Sequence, residues 1–384
     1  MDVTQIYNLV NTSISETLGE EAVVNEDLSN LVDVGEAVFN ANAVDRYVKS
    51  LVNHIGKVVF VNRPYNGSAP SVLMDDWEFG SVMEKIHSDM PEATINETWE
   101  LEDGTSYDPF VFYKPNARAK FYNKAVTFEI DRSVTKEQVK QSFSSATQLN
   151  AFSSMLFNET EKSLTVATDN LIMRTINSMI ADTVFNAYSG GAITTAGNTR
   201  AVNLLALYNT AYTKTLTAAQ AAVDPDFIRY ASFIIKKYSK HMTRMSTLFN
   251  QGGKARFTPS NLQHIVMLDE FYAAAETYLY SDTYHEGYVK LSQAETVPFW
   301  QGSGSDFAFE SNSKIDVKTG SGNTQSVTGV LGVIFDRDAL GVCCQRQEVE
   351  TQYNPKGGFT NYFYKRFARY FNDSDENFVV FFAA

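Results

Sequence analysis

Apolar residues between positions 149 and 184 recur in steps close to three or four: Leu149, Phe152, Leu156, Leu164, Ala167, Leu171, Ile176, Ile180 and Val184. Asn158, Glu161, Lys162, Asp169, Asn170 and Asn177 fall on the opposite side. That spacing puts one apolar stripe along a helix. Neither proline nor glycine interrupts the chain between Pro115 and Gly190. The pattern predicts a spine helix of roughly 40 residues, about 60 Å long, several times the mean globular helix. A break is allowed near 159–163, and the glycines of YSGGAITTAGN (188–198) end the helix. Ahead of it, Thr135-Lys-Glu-Gln138 has the form of a capping box that opens a short helix.

The rest of the chain alternates between the two periods. Val44, Tyr47, Leu51, Val52 and Ile55 predict an amphipathic helix over 42–55, which feeds an apolar strand, KVVFVN. From about 71 to 131 the pattern is β, in INETWEL, DPFVFYK and ARAKFYNKAVTFEID. In the last of these Ala119, Phe121, Ala125 and Phe128 are interspersed with charged or amide residues, as in a strand with wet faces. So charged a β excursion predicts a protruding two-stranded arm. Residues 199–340 read as mixed α/β, with helices over 200–213, 224–248 and 268–279. Asp224-Pro225 supplies an N-cap and N1 pair for the second of these. Strands are expected at NLQHIVMLD, KIDVK and VTGVLGVIFD.

Aromatic residues then crowd the last stretch. Eleven of the thirty positions from Tyr353 to Phe382 are Phe or Tyr, against 13% in the whole chain. FTNYFYKRFARYF and ENFVVFFAA read as strands that must tie the terminus into a core. Lys365, Arg366 and Arg369, set among the rings, suit packing contacts with polar edges.

Charge divides the chain again. The net charge is −13, yet residues 1–45 hold nine carboxylates and no Lys or Arg, leaving 32 basic against 36 acidic residues beyond them. This segment reads as an acidic arm, either solvated or laid across a basic surface of a neighbouring copy. Its apolar residues Val23, Val24, Leu28, Leu31, Val32, Val38 and Phe39 argue against complete disorder. Lys236, Lys237, Lys240, His241 and Arg244 form a basic cluster on one predicted helix. It is either a solvated or inter-subunit face or a weak, non-specific contact to DNA, which many copies together make effective.

Catalytic and metal signatures are missing from the sequence. The five histidines (54, 87, 241, 264 and 285) have no pair at metal-ligand spacing. GxSxG, HExxH and the phosphate-cradling glycine loop do not occur. No cofactor is expected. The two cysteines, Cys343 and Cys344, are adjacent, which suits two packed thiols better than a bridge. No run of eighteen apolar residues suggests a membrane span, and the first residues lack the pattern of a secretory signal.

The order of elements (acidic arm, β excursion, spine helix, mixed α/β region, aromatic strands) resembles the HK97-type fold of tailed-phage major capsid proteins. The segment VLGVIFDRDALGVCCQRQEVETQYNPKGGFTNYFYKRFARYF is similar to the closing region of that family. There a short strand and an acidic-basic turn precede an "ET…NP+G" stretch and aromatic strands, most closely in the podovirus-type members. The resemblance implies an α+β fold with an N-terminal arm at 1–45, an extended β E-loop at 66–131 and an A domain at 196–340. The P domain would combine 46–65, 132–195 with the spine helix, and the closing strands 341–384. It implies a structural protein, not an enzyme, that assembles as pentamers and hexamers into an icosahedral or prolate shell around double-stranded DNA. A separate scaffolding protein and a portal would serve assembly in the host cytoplasm, with no membrane involved. Candidate inter-subunit contacts are Asp27, Asp33, Lys114, Arg118, Lys120, Lys124, Lys365, Arg366 and Arg369. Lys236, Lys237, Lys240 and Arg244 are candidates for DNA or a neighbouring copy. The alternatives are an encapsulin-like nanocompartment shell, which would assemble unaided around cargo, and a receptor-binding virion protein, which would show repeats or a trimeric β-rich end.

Overall fold

The helical period of the middle of the chain is realised as one uninterrupted helix, Ala146–Tyr188, of 43 residues. The computed structural model describes residues 11–16, 33–34, 36–37, 46–47, 50, 72–74, 83–88, 93, 110–114, 117–142, 146–188, 193, 199–280, 294–300, 313–318 and 324–384. The strands in chain order are β1 (Leu73–Met74), β2 (Met83–Ser88), β3 (Ala117–Tyr122), β4 (Ala125–Thr135), β5 (Ala201–Asn203), β6 (Gln263–Leu268) and β7 (Glu295–Val297). They continue with β8 (Ile315–Lys318), β9 (Thr324–Val327), β10 (Val330–Asp336), β11 (Leu340–Asn354), β12 (Phe359–Asn372) and β13 (Phe378–Phe382).

The chain divides into two compact units. The first comprises Met1–Glu78, Ala125–Arg174 and Val342–Arg369. Its sheet has the order β1-β11-β12-β4, with β4 and β12 antiparallel from Thr135 opposite Phe359 to Ala125 opposite Arg369. Thr360, Tyr362, Tyr364 and Ala368 alternate along β12 and are all buried, whereas the positions between them are half-buried. Thr160, Leu164, Thr168, Leu171 and Ile172 are buried positions of the spine helix in this unit. The Arg366 guanidinium donates to the Thr168 hydroxyl at 3.1 Å and so joins strand to helix. The expected capping box is present: Gln138 N donates to Thr135 Oγ1 at 3.3 Å and Thr135 N to Gln138 Oε1 at 3.1 Å. It opens the short helix Lys136–Ser142.

The second unit comprises Phe79–Lys124, Thr175–Gly341 and Tyr370–Ala384. Its main sheet is mixed, in the order β5-β13-β10-β6-β7, and every residue of β10 and β13 is buried. Helix Pro225–Met242 buries Phe227, Ile228, Ala231, Ile234, Ile235 and Met242. Its N-cap Asp224 accepts from the amides of Asp226 and Phe227, with Pro225 at the first helical position. Tyr238 of this helix meets Phe381 edge-on, with ring centroids 5.4 Å apart. Trp300, 1% exposed, donates its indole N–H to the Val330 carbonyl at 3.0 Å, and Asn177 donates to the Trp300 carbonyl at 2.6 Å. Gly329 sits at φ +71°, and a Cβ there would lie 2.0 Å from the Ala383 carbonyl oxygen. Only glycine lets the chain pass so close to its last residues.

Several expected elements differ. ARAKFYNKAVTFEID is two strands, β3 and β4, which pair with β2 and β12 respectively. The apolar positions change phase between Phe121 and Phe128, so one strand could not keep them all on one face. Phe110–Lys114 is not strand. The helix expected over 200–213 begins at Leu204, because Asn203 caps it by accepting from Ala206 N, and 201–203 join the sheet as β5. The helix expected over 224–248 ends at Met242, and Ser246 instead bridges Arg256. The aromatic closing block serves two sheets: β12 pairs with β4, and β13 pairs with β10 and β5. KVVFVN, INETWEL, Leu149, Phe152, Leu156 and most of the 42–55 helix lie outside the described residues or side chains, although Tyr47 of that helix is buried.

Candidate interaction surfaces

β2 and β3 form a two-stranded antiparallel ribbon in which Lys85 stands opposite Lys120 and Glu84 opposite Phe121. Because successive side chains change sides, Lys85, Lys120 and Tyr122 share one face, and Glu84, Ile86, Ala119 and Phe121 share the other. The lysine face meets the acidic turn after β12. Lys85 Nζ lies 2.9 Å from Asp373 Oδ2 and 2.9 Å from Glu376 Oε1, and donates to the Asp338 carbonyl at 3.0 Å. Lys120 Nζ lies 2.9 Å from Asp373 Oδ1 and 2.5 Å from Asp375 Oδ2. Arg256 Nε completes the cluster, 3.6 Å from Glu376. Tyr122 packs on Phe371 with centroids 5.3 Å apart.

The turn itself is anchored on three sides. Asp373 N donates to the Ala339 carbonyl at 2.7 Å, Asp336 N to the Asn377 carbonyl at 2.9 Å, and Gln251 and Gly252 N to the Ser374 carbonyl at 3.0 Å. A Cβ at Gly252 would fall 2.0 Å from the Asp375 carboxylate, so a larger residue there would push that side chain aside. The Asp373 side chain is 0% exposed. Burial alone would raise its pKa, but hydrogen bonds from Lys120 and Lys85 outweigh it and hold the carboxyl well below the usual carboxylate range. At Glu376 burial wins over Lys85 and Arg256, and its pKa is raised. Burial, then the Asp373 charge, pushes the Tyr122 phenol up. The Lys120 ammonium is held above its usual value: its bonds to Asp375 and Asp373 together exceed the opposing effect of burial.

The other face of the ribbon points to solvent. Ile86 is 70% and Phe121 64% exposed, and the run Phe110, Val111, Phe112, Tyr113 is exposed throughout, followed by exposed Lys114. Apolar surface gathered in one stretch marks an interaction site more often than scattered residues do. Arg118 and Lys124 are exposed, with Lys124 6.0 Å from the Tyr370 ring.

Lys236, Lys237, Lys240 and Arg244 are all exposed along one side of helix Pro225–Met242 and its end, with Phe233 one turn before them. Among the described residues, Lys237, Lys240 and Arg244 have no carboxylate within ion-pair distance. In the first unit Lys365 pairs with Glu350 at 2.6 Å, while Arg366 is turned toward the spine helix and Arg369 is half-buried. Asp33 is exposed, and Asp27 lies outside the described residues.

Among the described residues no group of His, Cys, Asp or Glu could hold a metal ion, and no helix is long and apolar enough to cross a membrane. Cys343 is buried and Cys344 half-buried. The acidic turn was not singled out in the sequence, although NDSDEN between two aromatic strands is a signal that could have found it.

A protein-family model described as Phi29-like phage major capsid protein matches residues 8–382. No curated protein matches. Among solved structures, a chain from the head fiber and inner core protein gp22 structure of native bacteriophage P68 is similar at 9% identity and a TM-score of 0.50, covering 85% of this chain and 86% of that one. A chain of the Staphylococcus phage Andhra capsid is 11% identical over 82% of this chain and 83% of that one, with a TM-score of 0.48. A chain of the cyanophage P-SCSP1u capsid is 10% identical over 82% and 86%, with a TM-score of 0.45.

Proposed function

The chain belongs to the Phi29-like phage major capsid protein family, and from that premise we propose how its parts build a shell. It is a structural capsid component of a tailed-phage virion, and its α+β architecture is of the HK97 type. In our reading, residues 1–45 form the N-terminal arm and 66–131 the E-loop. The P domain is drawn from 46–65, 132–195 and 341–384, and the A domain from 196–340. The exposed residues of the ribbon and of Phe110–Lys114, with Arg118 and Lys124, are E-loop contacts to a neighbouring copy. Asp27 and Asp33 serve the arm, and Lys365 and Arg369 lie at the polar edge of the closing strands. Lys120, Lys365 and Arg366 also bond within their own chain, so an inter-subunit role for them is shared.

One chain then fills pentamer and hexamer positions, and the shell gains its stability from many summed interfaces. A separate scaffolding protein and a portal act during assembly in the host cytoplasm, and double-stranded DNA fills the shell. The basic side of helix Pro225–Met242 makes weak, non-specific contact with that DNA. The observation that carries the reading is the family match across residues 8–382. The test is expression with and without a scaffolding partner, followed by negative-stain electron microscopy. Shells of uniform size formed with the partner are expected, and a monodisperse monomer under both conditions would rule the reading out.

A further inference from the structure

The basic side of helix Pro225–Met242 borders a recess of about 640 Å³, lined among others by Lys236, Lys240, Ser260, Asn261, His264 and Glu295. That volume is in the range of small-ligand sites. The charge beside it is costly to keep. Lys237 and Lys240 stand three residues apart on the helix, where like charges repel, and Arg244 follows just beyond its end. In a chain of net charge −13, carboxylates to pair them would be easy to place. Instead Lys237, Lys240 and Arg244 have no ion-pair partner among the described residues, while Lys85, Lys120 and Lys365 are all paired. Among the described residues these cationic groups are therefore available to an anionic partner.

Polar side chains line the recess as well. His264 Nε2 is buried and has no hydrogen-bond partner. Ser260 and Asn261 are exposed at the rim. Burial first, and then the Arg337 charge, lowers the His264 pKa, so at neutral pH the imidazole is an uncharged donor or acceptor. Glu295 is the acidic group among the described lining residues.

We infer that this recess is a phosphate site, taking one phosphodiester of double-stranded DNA whose next phosphates run along Lys237 and Arg244. The inference rests on the reading that this helix meets packaged DNA, and it adds a seat of defined shape to an otherwise diffuse contact. A free phosphate presents the same chemistry, so the test separates the two sources.

The experiment uses the full chain, unassembled, with its histidines ¹³C-labelled. His241 reports the exposed helix side and His264 the recess, and His264→Asn assigns the second signal. Inorganic phosphate and a duplex of about 20 base pairs are titrated separately against chloride at matched ionic strength. Saturable movement of His264 by phosphate, and of both His264 and His241 by duplex, is expected. Lys240→Gln, with unchanged circular dichroism, should weaken duplex binding several-fold and reduce the slope of log K against log salt by about 0.9. A duplex that moves His241 but not His264 overturns the recess and leaves the DNA-facing helix standing. Movement of His264 by phosphate alone overturns the DNA assignment, and movement of neither histidine by either probe overturns both readings.

Discussion

Lys85 and Lys120 stand directly opposite each other in the β2–β3 ladder, and each ammonium reaches one oxygen of the same carboxylate, Asp373, at 2.9 Å. Like charges facing across a strand pair repel. The pair persists because a fully buried Asp373 lies between them, with Asp375 and Glu376 taking the remaining charge. The exposed apolar side of the ribbon is thereby kept outward, since turning the ribbon over would bury Ile86 and Phe121 against carboxylates.

Removing Asp373 should therefore cost more than losing a surface ion pair. Asp373→Ala leaves two facing lysines without their shared anion, and breaking a buried pair in this way costs about 3–5 kcal/mol. Urea unfolding of the unassembled chain should show that loss. The double variant Lys85→Met/Lys120→Met in the Asp373→Ala background should recover part of it, because it removes the repulsion. A loss under about 1 kcal/mol for Asp373→Ala, the value of an exposed pair, would show that the cluster holds nothing.

The same cluster sets a pH signature with two opposed limbs. The Asp373 pKa is lowered on folding, so its contribution is present above the unfolded carboxylate pKa, about 3.9, and is lost as pH falls below it. The Glu376 pKa is raised, so its contribution is present below its unfolded value and declines as pH rises through the folded one. Stability curves against pH should show Asp373→Asn flattening the acid limb. Glu376→Gln should flatten the limb above about 4.3 and leave the acid limb in place. Identical profiles for the two variants would contradict this division.

Most of the core was legible in the sequence because local chemistry decides it. The Thr135–Gln138 box, the Asp224-Pro225 helix start and the unbroken apolar period from Leu164 to Val184 each need only neighbouring residues. Pairings across the chain were not legible. Asp373 lies more than 250 residues from Lys85 and Lys120, and no spacing rule links them. The eleven aromatic residues near the end read as one block of strands that ties the terminus into a core. They divide instead because NDSDEN turns the chain out of β12, whose Tyr362 and Tyr364 belong to one unit, and into β13 of the other. The basic helix side was legible as charge, but the recess beside it depends on β6 and β7 arriving from residues 263–297.

β13 should be the most sensitive strand to truncation. Phe381 is 0% exposed, lies between β10 and β5, and meets Tyr238 edge-on. Phe381→Ala removes that ring from a site where neighbours on both sides are fixed by the ladder, so the cavity cannot close. A loss of about 3–5 kcal/mol is expected, read as a lowered urea midpoint with an unchanged slope. Phe363→Ala in half-buried β12 should cost clearly less.

Phe110 and Phe112 should act in the opposite way, on assembly and not on folding. They are 89% and 82% exposed, so the folded subunit gains little from them, whereas a neighbouring copy that covered them would gain about 1.5–3 kcal/mol per ring. A shell repeats each contact hundreds of times, so a small change per contact shifts assembly sharply. Phe110→Ser/Phe112→Ser should leave the urea midpoint of the subunit within about 0.5 kcal/mol of its original stability. Light scattering with a scaffolding partner should show a several-fold higher protein concentration for shell formation. Unchanged assembly in a stably folded variant would remove this run from the interface, and the exposed pair Ile86 and Phe121, tested as Ile86→Ser/Phe121→Ser, would then be left to carry the contact of the ribbon.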